Sequence, residues 1–81
     1  MNSDLIKKIQ YMLNMESGAN FEYLASVEER NGHSGVPYLQ KAQEKYALAE
    51  SYAVTDKEVE DAKKANKRVI DRVVSSKANV R

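Results

Sequence analysis

Arg30-Asn31-Gly32-His33-Ser34-Gly35-Val36-Pro37 is the stretch that decides how this chain folds. Two glycines and an asparagine suit the positive-φ backbone that most residues avoid. Gly32 is placed to sit just past a helix C-terminus. Pro37 fits the first position of the next helix, where a missing N–H costs nothing. The segment reads as a connector between two helices, and the sequence on both sides of it follows a helical period.

Upstream, Ser3 suits an N-cap and Asp4 the positive end of a helix dipole. Leu5, Ile6, Ile9, Met12 and Leu13 recur at helical spacing and form one broad apolar face, with Lys7, Gln10 and Asn14 opposite. Tyr23, Leu24 and Val27 keep the same phase beyond Ser17-Gly18-Ala19-Asn20. The spacing therefore predicts one long helix over about residues 3–30, bent near Gly18, since an interior glycine costs only about 1 kcal/mol relative to alanine. A break at Gly18 would give four helices in place of three. Phe21 falls off the main face, as an exposed aromatic or part of a second contact surface.

Downstream, the pattern predicts a helix over about 37–53. Tyr38, Leu39, Ala42, Tyr46, Ala49 and Ala53 share one of its faces; Gln40, Glu44 and Ser51 are its solvated side, and Leu48 and Tyr52 flank the stripe. Thr55-Asp56-Lys57-Glu58 has the form of a capping box, with Thr55 at N-cap and Glu58 at N3. A further helix over about 55–75 then carries Val59, Ala62, Val69, Ile70 and Val73 inward. Its apolar face is out of phase with that of the preceding helix, so the chain breaks at 53–55 into a hairpin. Residues 76–81 lose the period and are expected to fray. The expected fold class is all-α: a long first helix followed by an antiparallel helical hairpin, in a single small helical domain spanning 1–81.

Leu, Ile, Val and Phe together number 17 of the 81 residues, against a formal net charge of +1. That is enough to fold but makes a thin core, and oligomerisation is one common remedy in small domains. A homo-oligomer, with a dimer favoured, follows as an expectation. The chain has no Cys, which excludes disulfides, thiolate nucleophiles and Cys-ligated metal, and its single His cannot build a histidine-rich site. With no Asp-x-Asp-x-Asp-Gly loop either, no metal and no cofactor is expected. No apolar run reaches the ~18–20 residues of a bilayer span. Met1-Asn2-Ser3-Asp4-Leu5-Ile6-Lys7-Lys8 lacks the basic-then-apolar order of a secretory signal. The expectation is a cytoplasmic protein without membrane contact.

Charge is divided unevenly. Residues 1–62 net −5 and residues 63–81 net +6, so a basic arm follows an acidic body. This arrangement fits a solvated helix face with dipole compensation, or pairing of the arm with the body. It also fits a polyanion or nucleic-acid site at Lys63, Lys64, Lys67, Arg68 and Arg72. Against the polyanion reading, no aromatic interleaves with these cations to stack on bases, and the pI is near 7.9.

Gly32-His33-Ser34-Gly35 superficially resembles a nucleophile turn, but the spacing is Gly-x-Ser-Gly without a strand, and no second His is present to act as base. No catalytic residue is assigned and the chain reads as non-enzymatic. His33, Ser34 and Gly35 precede a helix N-terminus, which offers a milder reading as a loop for a small anionic ligand in a helical oligomer. The five tyrosines against one phenylalanine point instead to protein contact. Tyr38, Leu39, Ala42, Tyr46, Ala49 and Tyr52 are the candidate protein interface. The leading expectation is a protein–protein interaction protein, an inhibitor, adaptor or assembly factor acting stoichiometrically through amphipathic helices.

Overall fold

The structure, a computed structural model, describes residues 3–78, and these form three helices: α1 (Ser3–Arg30), α2 (Val36–Tyr52) and α3 (Asp56–Ala78). α1 packs against α2 and α2 against α3. Each connection is short, so neighbouring helices run antiparallel and α1 and α3 run parallel.

The local signals explain the boundaries. α1 closes through a Schellman motif: Gly32 takes φ +80°, its N–H donates to the Glu29 carbonyl at 3.1 Å, and the His33 N–H donates to the Glu28 carbonyl at 2.9 Å. α2 begins one residue earlier than the spacing predicts, with Gly35 at the N-cap and Pro37 in its first turn. The capping box of α3 is formed in both directions. The Glu58 N–H donates to Thr55 Oγ1 at 3.1 Å, and Glu58 Oε1 accepts from the Thr55 and Val54 N–H groups at 3.2 and 2.9 Å. Ala53 between the helices is extended, at φ −62° and ψ 137°. α3 continues through Ala78, where fraying was expected from 76. Buried Val73 and half-buried Ser76 still face the body, and no helix breaker intervenes. The rest of the expected tail, residues 79–81, lies outside the described residues.

α1 runs unbroken through Gly18 over 28 residues. Its packing reverses the expectation from periodicity. The buried residues of α1 are Tyr11, Gly18 and Ala25, spaced seven apart, while the apolar stripe that should have packed inward faces solvent. The reason is steric. A Cβ on Gly18 would lie 2.5–2.7 Å from three carbons of the Tyr46 ring, and one on Gly35 would lie 2.8 Å from the Ala25 carbonyl oxygen. The helices touch where side chains are small, and large residues of α2 fill the space so opened. Ala42, Ala49, Ala62 and Ala65 continue this seam, and Tyr46, Leu39 and Val69 are the largest fully buried side chains. Gln10 and Asn14, expected on the solvated side, are half-buried, with Asn14 Nδ2 donating to the Gln10 carbonyl at 2.8 Å. Phe21 stacks on Tyr38 with ring centroids 6.2 Å apart and so serves the α1–α2 contact. On α3, Ala65 takes the inward place expected of Ile70, which stays exposed.

Candidate functional site: the outward face of α1

Leu5, Ile6, Ile9, Met12, Leu13, Tyr23 and Leu24 are 38–64% exposed. At about 100° per residue they occupy one arc of α1, centred opposite Tyr11, Gly18 and Ala25. Glu16 and Asn20, both exposed, divide this arc into a dense patch over residues 5–13 and a smaller one at Tyr23 and Leu24. The five side chains of the dense patch leave roughly 500 Å² open, near the upper end of the ~300–600 Å² of the largest apolar patch on an ordinary monomer. The chain as a whole exposes 5636 Å². A compact monomer of 9.2 kDa has a surface of about 4900 Å² by size scaling.

The interface expected on α2 is corrected by this arrangement. Leu39, Ala42, Tyr46 and Ala49 are interior, with at most 1% of their surface exposed, because α1 and α3 already cover them. Tyr38 and Tyr52 are half-buried at the edges of the same core. Periodicity identified both apolar faces, and the fold covers the one on α2 and leaves the one on α1 open. The signal that marks the covered side of α1 is the seven-residue repeat of Tyr11, Gly18 and Ala25, two of them too small to register as hydrophobic anchors.

The basic arm is engaged by the acidic body. Glu22, whose side chain is only 12% exposed, receives a fork from Arg68: Nε donates to Oε1 at 2.9 Å and Nη2 to Oε2 at 2.7 Å. Tyr46 Oη also donates to Glu22 Oε2, at 2.5 Å. Arg72 Nη2 donates to Ser26 Oγ at 3.1 Å and to Glu29 Oε1 at 2.9 Å. One half-buried carboxylate thus ties α1 to α2 and α3. Burial pushes the Glu22 carboxyl towards the neutral form, but the hydrogen bonds from Arg68 and Tyr46, with the charges of Arg68 and Arg72, outweigh it and hold the group below its ordinary range. Burial, then the adjacent Glu22 carboxylate, raises the Tyr46 phenol well above its ordinary value. Lys64 and Lys67 pair along their own helix with Glu60 at 3.6 Å and Asp71 at 3.1 Å. Of the five candidate polyanion residues, only the exposed Lys63 lacks a carboxylate partner among the described residues. Arg68 and Arg72 border an open groove of about 580 Å³ with Ser75 and Ser76, but Glu29 and Asp71 line it too and oppose an anion there.

The connecting loop is likewise occupied. His33 Nδ1 lies 2.9 Å from Glu28 Oε2, Ser34 Oγ accepts from the Val36 N–H at 3.2 Å, and Gly35 is packed under Ala25. A carboxylate therefore stands where the anion reading would put its ligand. Among the described residues no cluster of three or more His, Asp or Glu is placed to hold a metal ion. None of the described helices is long and apolar enough to cross a membrane. The chain matches no protein-family model, no curated protein and no solved structure.

Proposed function

We propose that this chain is a non-enzymatic protein-interaction module whose docking face is the outward stripe of α1. One observation carries this reading: the largest aliphatic side chains of the longest helix point away from the fold's own core. Exposed apolar area of this extent contributes favourably only when another surface covers it, at about 25 cal/mol per Å². The stripe is charge-poor apart from Glu16, so the surface it accepts is an apolar helix face rather than a polyanion. The spacing Ile6, Ile9, Leu13, Glu16, Asn20, Tyr23, Val27 alternates three and four residues, the geometry that seats one helix along another. The single His is paired with a carboxylate in an exposed loop, and the hydroxyl of the neighbouring Ser34 is engaged by the Val36 N–H. The module therefore acts by occupancy, as an inhibitor, adaptor or assembly factor does.

Site-specific photo-crosslinking tests this. A benzophenone amino acid placed at position 13 should capture a protein on irradiation in cells, and the same group at exposed position 63 on α3 should not. Absence of any protein adduct at position 13 refutes the docking face.

A further inference from the structure

The pattern on α1 also specifies what covers it. Measured from Ile9, the apolar side chains of the dense patch fall at −4, −3, +3 and +4: Leu5 and Ile6 on one side, Met12 and Leu13 on the other. A two-fold axis through Ile9, perpendicular to the helix, lays this patch onto itself. Leu5 and Ile6 of one copy then meet Leu13 and Met12 of the second. Isologous dimers require this kind of self-complementary surface. No charged residue falls on this arc between Leu5 and Leu13, so the pairing sets no like charges face to face. Pairing over the whole stripe is poorer, because it sets Leu13 against Glu16 and Ile9 against Asn20.

Area supports the same occupant. The five side chains of the patch leave roughly 500 Å² open per copy, so covering them mutually removes about 1000 Å², the lower bound for a specific interface. We propose that two copies of this chain pair antiparallel through α1, with Ile9 at the two-fold axis. The proposal rests on the docking face described above and names its occupant as a second copy of the same helix.

Light scattering on the eluting protein at ~100 µM, a concentration chosen to populate a pair at the small end of specific interfaces, should give twice the 9.2 kDa chain mass. Ile9→Glu should give the single-chain mass with an unchanged helical circular-dichroism spectrum, because Ile9 is 48% exposed and outside the core. The chain has no native Cys, so single-cysteine variants are clean probes. Ile9→Cys should form a disulfide-linked dimer under mild oxidation. Tyr23→Cys should not, since its two copies would stand about 40 Å apart at 1.5 Å rise per residue. A wild-type single-chain mass, an Ile9→Glu variant that stays dimeric, or faster cross-linking at position 23 than at position 9 each overturns the proposal. A monomer whose position 13 still photo-captures a different protein sinks the second copy alone. A monomer that captures nothing sinks the docking face as well.

Discussion

Replacing Gly18 by alanine puts two physical effects in opposition, and the structure decides which wins. In an exposed helix interior the change stabilises by about 1 kcal/mol, because alanine loses less backbone entropy. Here the new methyl would lie 2.5 Å from Tyr46 Cε1 and 2.7 Å from Cδ1 and Cζ. Relief needs a shift of roughly 1 Å, since ordinary carbon contacts lie at about 3.5–4.0 Å. The ring has little freedom to supply it: Tyr46 is 1% exposed and its hydroxyl is bonded to the Glu22 carboxylate. Overpacking costs about 1–3 kcal/mol, and weakening a hydrogen bond to a charged group adds about 1.5–3 kcal/mol. With the propensity gain subtracted, Gly18→Ala should destabilise by about 1.5–5 kcal/mol. A domain of this size loses about 4–8 °C of Tm per kcal/mol, so a drop of at least ~6 °C is expected. Urea titration followed by far-UV circular dichroism measures it directly. An unchanged or raised midpoint would show that α1 does not meet Tyr46 at Gly18, and the account of the reversed helix face would fail with it.

Tyr46→Phe keeps the ring and removes only its bond to Glu22, so a loss of about 1.5–3 kcal/mol is expected in the same titration. Acid dependence follows from Glu22, whose carboxyl is held below its ordinary range in the fold. The stability it contributes is complete above the unfolded value near 4.3 and is lost as pH falls through the lower folded value. Wild type should therefore weaken with acidification through this window more steeply than Glu22→Gln, and parallel curves from thermal melts across the window would contradict the assignment. Thr55→Ala removes an N-cap oxygen and should cost about 1 kcal/mol, with Thr55→Ser restoring most of it in chemical denaturation. Fluorescence anisotropy with duplex and single-stranded nucleic acid at ~50 mM salt should show no binding, because four of the five candidate cations already face carboxylates. Saturable, salt-sensitive binding would restore the polyanion reading.

What the sequence determined by itself is the set of features that a few neighbouring residues complete among themselves. The stop at Gly32 needs only one positive-φ residue and the carbonyls of the preceding turn. The start of α3 needs only Thr55 and Glu58, and the unbroken run of α1 needs only a helical period that a single glycine does not erase. Tertiary structure alone decided which face of α1 is inside. Periodicity weighs each residue by its affinity for oil, and by that measure the face carrying Leu5, Ile9, Met12 and Leu13 should be buried. Burial also depends on how closely two backbones approach. Gly18 and Ala25 admit Tyr46, Leu39 and the Gly35 turn at distances that a leucine or isoleucine would forbid. The pairing of Glu22 with Arg68, 46 residues away, was hidden for the same reason: no local pattern specifies a contact that forms only after three helices have been brought together.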